Sequence, residues 1–93
     1  MSGDHAPKKR SVMIAGHATS ISLEPLFWDA LKRAAAEEGL PLSALVARID
    51  AARVEARAPT NLASTIRVWL MGRALRRSAG QANQPLSRSG DLE

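Results

Sequence analysis

The sequence contains no cysteine, which excludes disulfide bridges and thiolate metal sites. It contains three aromatic residues and no tyrosine, so its core must be built mainly from leucine, isoleucine, valine and alanine. No apolar run reaches the length that a membrane crossing requires. The charged start is not followed by the apolar segment of a secretory signal. We therefore expect a globular, cytoplasmic protein that does not bind a membrane.

Residues suited to catalysis are also scarce. The two histidines, His5 and His17, are too few ligands for a metal site in a chain without cysteine. No glycine-rich phosphate loop follows a strand, and no serine lies beside a plausible base. We predict that the protein is not an enzyme and that it binds neither a metal nor a cofactor.

The net charge of +4 is unevenly distributed along the 93 residues. Residues 1–23 carry +2 and residues 54–77 carry +4, whereas residues 24–53 and 78–93 carry −1 each. A chain of this length forms one domain and buries a modest share of its surface, which favours oligomerisation. The basic segments are typical of a protein with a polyanionic partner.

The segment His17–Leu23 alternates like a strand and leads directly into a helix start at Pro25. Ile21 and Leu23 fall on one face. The other face carries Ala18, Ser20 and Ser22. The residues Val12–Ile14 are also strand-like and either extend this strand or fold back. Because buried backbone groups must pair, we predict that this N-terminal strand pairs antiparallel with a second chain.

Three helices are predicted, over Pro25–Glu38, from Pro41 onward, and over Leu62–Arg77. Gly39 suits the end of the first helix and Asn61 the N-cap of the third. The third helix is apolar on two sides, which indicates burial between partners. The residues predicted to form the core of a homodimer are Ile21, Leu23, Phe27, Trp28, Leu31, Leu45, Val46, Ile49, Ile66, Trp69 and Leu70.

The predicted fold class is mainly α, with one strand and three helices per chain in an intertwined homodimer. Residues 1–10 are expected to be a disordered basic arm, residues 11–77 the folded domain, and residues 78–93 a disordered tail. The basic cluster at the end of the arm either keeps the chain soluble or contacts a phosphate backbone.

The order of these motifs resembles the ribbon-helix-helix family, in a bacterial variant with an added third helix. The resemblance covers about residues 9–77. The motifs that carry it are Thr19–Pro25, Phe27–Leu31 and Gly39–Leu45, the start Lys9–Val12, the Gly16-His17 step, and the Asn-Leu-x-Ser-x-Ile-Arg pattern of Asn61–Arg67.

The resemblance implies a homodimer whose antiparallel ribbon enters the major groove of double-stranded DNA. It also implies a phosphate contact at the first turn of the second helix. The implied DNA-binding residues are Lys8, Lys9, Arg10, His17, Ala18, Ser20, Ser22, Leu42 and Ser43. The expected function is that of a sequence-specific, nucleoid-associated transcriptional regulator acting as a repressor.

The side chains on the outward strand positions favour an alternative. Ala18 cannot form a hydrogen bond, and serine reaches only a short distance toward a base edge. The alternative is a dimeric protein-interaction module or antitoxin of the same fold, with little or no base-specific readout of DNA. Such a module would contact a protein partner through its C-terminal helix or tail.

Overall fold

The computed structural model describes residues 5–89. Two strands precede three helices. In chain order the elements are β1 (Lys8–Ile14), β2 (His17–Leu23), α1 (Pro25–Glu38), α2 (Leu42–Glu55) and α3 (Leu62–Ser89). The two strands form an antiparallel hairpin, and α2 packs against β1 while α1 and α3 pack against β2.

The hairpin corrects the prediction that His17–Leu23 has no partner strand in its own chain. It pairs with Lys8–Ile14, so the chain contributes two strands rather than one. Ala15 and Gly16 connect them with φ values of 52° and 83°. Positive φ at both loop residues is the geometry of a type I′ turn, whose twist matches that of the strands it joins. Val12–Ile14 were predicted either to extend the strand or to fold back on it. The structure shows that they fold back on it.

The boundaries of the predicted disordered segments also change. Lys8, Lys9 and Arg10 belong to β1 rather than to a disordered arm. α3 continues from Arg77 to Ser89, where a disordered tail was expected. Gly80 and Pro85, residue types that disfavour a helix interior, were the signals that predicted a break, yet both lie within α3. Residues 1–4 and 90–93 of the predicted arm and tail lie outside the described residues.

The core lies between the hairpin and the three helices. Nine of the eleven predicted core residues are buried, and Phe27 and Trp69 are half-buried against them. Val12, which was not predicted, joins the core because β1 folds back over the helices. Among residues 5–80, the buried apolar residues are Val12, Ile21, Leu23, Trp28, Leu31, Ala34, Ala35, Leu45, Val46, Ile49, Ile66 and Leu70. One chain thus closes this core from its own elements.

The helix ends follow the predicted signals. Pro25 is the first residue of α1, and Gly39 ends it in the left-handed conformation at φ 70°. At the start of α3, the Asn61 side-chain oxygen accepts a 2.8 Å hydrogen bond from the Ser64 backbone N–H. In the described part of the chain, no helix combines the length and the apolar content that crossing a bilayer would take.

Candidate nucleic-acid interface

The hairpin has two faces, and the strand register shows which residues lie on each of them. Residues directly opposite each other in an antiparallel pair point to the same side of the sheet. The pairs Lys9–Ser22, Ser11–Ser20 and Met13–Ala18 therefore share one side, which we call the outer face. All of these residues are exposed except Ser22, which is half-buried.

The outer face contains the three outward strand positions of the sequence prediction, Ala18, Ser20 and Ser22, and adds three residues of β1. Ser11 and Met13 were missed because no second strand had been assigned to the chain. A period-2 reading of residues 8–14, with Val12 as an inward position, would have found both. Lys9 is the one cation that the register places among these serines.

The remaining members of the predicted basic cluster lie on the opposite side of the hairpin. Lys8 is opposite Leu23 and Arg10 is opposite Ile21, so both side chains are on the side of the hairpin that faces the core. Both residues are nevertheless exposed, at the edge of that side. The Lys8 carbonyl accepts a 2.9 Å hydrogen bond from Trp28 Nε1. The Arg10 guanidinium lies 5.3 Å from the centroid of the Trp28 ring, within cation–π range.

His17 lies at the turn end of the hairpin, exposed and opposite Ile14 on the core side. The structure thus separates His17 from the outer-face serines, although all of them belong to β2. Within the described residues, no three histidine or carboxylate side chains lie close enough together to hold a metal ion.

The predicted phosphate site at the start of α2 is a separate group. Pro41, predicted as the first residue of this helix, is instead its N-cap with extended backbone, and it offers no side-chain hydrogen bond to the helix. Its carbonyl accepts 3.1 Å hydrogen bonds from the N–H groups of Ala44 and Leu45. The N–H groups of Leu42 and Ser43 precede these and have no acceptor within the helix, as is general for a first turn. This site lies at the start of α2, which packs against β1. The outer face lies on β1 and β2 and stays exposed, so the two groups belong to different elements.

Much of the positive charge of α3 faces carboxylates of the same chain. Arg67 Nε lies 3.0 Å from Glu24 Oε1, and its guanidinium is 5.9 Å from the Phe27 ring centroid. The backbone N–H of Glu24, together with the Arg67 guanidinium, lowers the pKa of the Glu24 carboxyl below its ordinary value of 4.5. This ion pair connects the end of β2 to α3.

A second set of ion pairs joins α3 to the C-terminal end of α1. Arg73 Nη2 lies 2.8 Å from Glu37 Oε1, and Arg73 Nη1 lies 2.7 Å from Glu38 Oε2. Arg77 also contacts the Glu37 carboxylate. The hydrogen bond from Arg73 lowers the pKa of Glu37, and the two carboxylates raise the pKa of Arg73. Part of the positive charge of residues 54–77 therefore forms ion pairs between helices and is not free on the surface.

The model of the ribbon-helix-helix domain matches residues 7–74, from the start of the hairpin into α3. The chain belongs to the ribbon-helix-helix family. Ribbon-helix-helix domains generally form dimers and bind DNA.

Among solved structures, this ribbon-helix-helix chain is similar to an uncharacterized protein from Bordetella pertussis Tohama I. The two are 30% identical, with a TM-score of 0.72 over 86% of this chain and 65% of the other. The chain thus spans slightly less than two thirds of that protein's length. No curated protein matches the chain.

Proposed function

We propose that the chain is a homodimeric, sequence-specific regulator that binds double-stranded DNA with the outer face of its hairpin. The observation that supports this most strongly is the exposed outer face, in which Lys9 accompanies Ser11, Ser20 and Ser22. A two-stranded antiparallel ribbon has the width that the major groove admits. Two such ribbons in a dimer would contact two half-sites.

Each group of side chains on the outer face has a distinct role in this proposal. The serine hydroxyls donate to and accept from base edges, and the Lys9 ammonium contacts a phosphate. Ala18 and Met13, beside the turn, offer apolar contact to a thymine methyl group. Together these contacts give modest discrimination among bases.

Phosphate contacts outside the outer face position the ribbon in the groove. Lys8 and Arg10 reach phosphates from the rim of the hairpin, with His17 at the turn end. The first-turn N–H groups of Leu42 and Ser43 bind a further phosphate at the positive end of α2. In this proposal the regulator acts on nucleoid DNA in the cytoplasm as a repressor.

The test is fluorescence anisotropy with a duplex from the region upstream of the protein's own gene, compared with a scrambled duplex. Ser20→Ala together with Ser22→Ala should reduce the preference for the upstream duplex while the dimer stays intact. Ser78→Ala, an exposed serine on α3, is the matched control and should change nothing. Absence of binding to either duplex at low salt contradicts the proposal.

A second candidate is an interaction module or antitoxin of the same fold, with little base-specific readout. It is favoured by the composition of the outer face, which carries one cation and two apolar side chains among its six residues. It is also favoured by apolar residues exposed on α3. An unchanged cellular phenotype in the double serine variant, despite its loss of DNA preference, supports this candidate.

A further inference from the structure

An open cleft lies between α1 and α3, with a volume of about 400 Å³. Each helix lines it with four residues spaced i, i+3, i+4 and i+7, starting at Ala30 on α1 and at Leu70 on α3. This is the spacing of one helix face, so the cleft lies where two such faces meet. We call this feature the α1–α3 cleft.

The floor of the α1–α3 cleft is apolar. Ala34 and Leu70 are buried and Ala30 is half-buried, so the fully buried side chains of the lining carry no polar atoms. Alanine is too short to fill the space between the two helices, which leaves the cleft open at Ala30, Ala34 and Ala74. Its volume is within the range, roughly 300–1,000 Å³, in which proteins bind small molecules.

The rim of the α1–α3 cleft carries more positive than negative charge. Arg33, Arg73 and Arg77 line it together with Glu37, and Glu38 pairs with Arg73 from outside the lining. The lowered pKa of Glu37 keeps its carboxylate ionised at neutral pH. Three guanidinium groups thus face two carboxylates, which leaves one positive charge uncompensated. Among residues 5–80, Arg33 is the member of this group without an ion pair inside 4 Å.

Ion pairs fix the arginines of α3 without using all of their donors. Arg73 Nη1 and Nη2 donate to Glu38 and Glu37 at 2.7 Å and 2.8 Å, and its guanidinium lies 5.6 Å from the Trp69 ring centroid. Arg77 Nη1 donates to the same Glu37 oxygen. A guanidinium has five N–H donors, and donors that are already held in place lose less entropy when a ligand binds. Since Arg33 belongs to the other wall, an anion in the cleft can be held from both sides.

We propose that the α1–α3 cleft binds a small organic anion, a carboxylate or a phosphate monoester that carries an apolar body. The anionic group lies between Arg33 of α1 and Arg77 of α3, and the apolar body covers the alanines and Leu70. The buried apolar floor favours such a ligand over a nucleic-acid backbone, whose phosphates would leave the floor uncovered. This inference goes beyond DNA binding and does not rest on it, because no lining residue belongs to the outer face.

NMR titration of the isotope-labelled full chain tests the site. Phenyl phosphate and phenylacetate carry both parts of the ligand, whereas inorganic phosphate carries only the anion and benzyl alcohol only the ring. The two aryl anions should shift the backbone amides of Ala30, Ala34 and Ala74 in a saturable way, and those of Lys9 and Ser20 should stay in place. Inorganic phosphate and benzyl alcohol should bind on the order of tenfold more weakly, because each makes one of the two kinds of contact. The tighter aryl anion identifies the anionic group that the cleft prefers.

Substitutions on each wall locate the bound anion. Arg33→Ala and Arg77→Ala should each weaken binding on the order of tenfold, because each removes a charged hydrogen-bond donor. Arg76→Ala, at an exposed arginine of α3 outside the cleft, is the matched control and should bind like the wild type. Ala74→Leu should fill the cleft from its exposed side and abolish binding. Ala36→Leu, exposed on α1 outside the lining, should not, and circular dichroism verifies that both leucine variants are folded.

Equal affinity for inorganic phosphate and phenyl phosphate would overturn the proposal, because the apolar floor would then contribute nothing. Amide shifts confined to the hairpin would overturn it as well, since the anion would bind there instead. The same holds if no probe gives a saturable shift in the wild type. The anisotropy test with duplex DNA is unaffected by these results, so failure of the cleft and failure of the proposed function are distinguishable.

Discussion

The hairpin and α3 both carry several cations, but their surroundings differ. Within residues 5–80, Lys8, Lys9 and Arg10 have no carboxylate within 4 Å, whereas Arg67 contacts one carboxylate and Arg73 contacts two. Charges on the hairpin are thus available to a polyanion, whereas Arg67, Arg73 and Arg77 of α3 pair with carboxylates of the same chain. The formal charge of a segment therefore says less about its partner than the positions of the nearby carboxylates do.

The largest effect is expected where the hairpin joins the helices. Trp28→Ala removes a buried ring and the hydrogen bond to the Lys8 carbonyl, and should cost about 3–5 kcal/mol in the free energy of unfolding. Urea denaturation measures this loss. Trp69→Ala, at a half-buried position, is the control and should cost less. Equal losses would show that Trp28 does not anchor the hairpin.

The comparison between the two sets of cations is tested by Lys9→Ala and Arg73→Ala. Lys9→Ala should weaken DNA binding on the order of tenfold and flatten the salt dependence, because two phosphate contacts are lost per dimer. Arg73→Ala should leave the salt dependence unchanged and lower stability instead. Anisotropy titrations from 50 to 300 mM salt, roughly the range where counterion release is resolved, measure both. If the salt dependence of DNA binding changed equally in the two variants, the cations of the hairpin and of α3 would not differ in their role.

A smaller effect is expected at the start of α3. Asn61→Ala removes the acceptor of the Ser64 N–H and should cost about 1 kcal/mol. Asn61→Asp keeps an oxygen in place and serves as the control. Thermal denaturation followed by circular dichroism compares the two. If both variants lose the same stability, the hydrogen bond at this cap contributes nothing.

The smallest effect is expected from pH. The pKa values of Glu24 and Glu37 are lowered in the folded chain, so their contribution to stability is complete above the ordinary value of 4.5. It is lost as the pH falls through the lowered values. Urea midpoints measured between pH 7 and pH 3 should therefore decrease, and less steeply for Glu37→Gln. An unchanged slope in Glu37→Gln would show that its ion pairs do not stabilise the fold.

The starts of α1 and α3 and the end of α1 were predictable because their signals are local. Pro25, Gly39 and Asn61 each act within one turn of the helix end that they mark. The apolar core positions of the helices follow from helical spacing. The sequence left the hairpin open as one of two alternatives, because its turn places an alanine, Ala15, in the left-handed region. Asparagine or glycine is the usual residue there, so the sequence signal for a two-residue turn is weak.

The candidate site was predictable on one strand only. Alternation alone placed Ala18, Ser20 and Ser22 together, but Lys9 joins them only through the strand register. The ion pair of Glu24 with Arg67 spans 43 residues, and no local pattern in the sequence indicates such a contact. Pairings of this kind depend on how the helices pack.

The two-residue turn between β1 and β2 has a consequence for how the protein responds to dilution. A ribbon made by one chain closes by a unimolecular step, on a timescale of about 1–10 μs for a hairpin of this kind. Mass action governs the association of two chains but not this closure. If the chain forms the proposed homodimer, each subunit should therefore retain a fully formed two-stranded sheet at concentrations where the dimer dissociates.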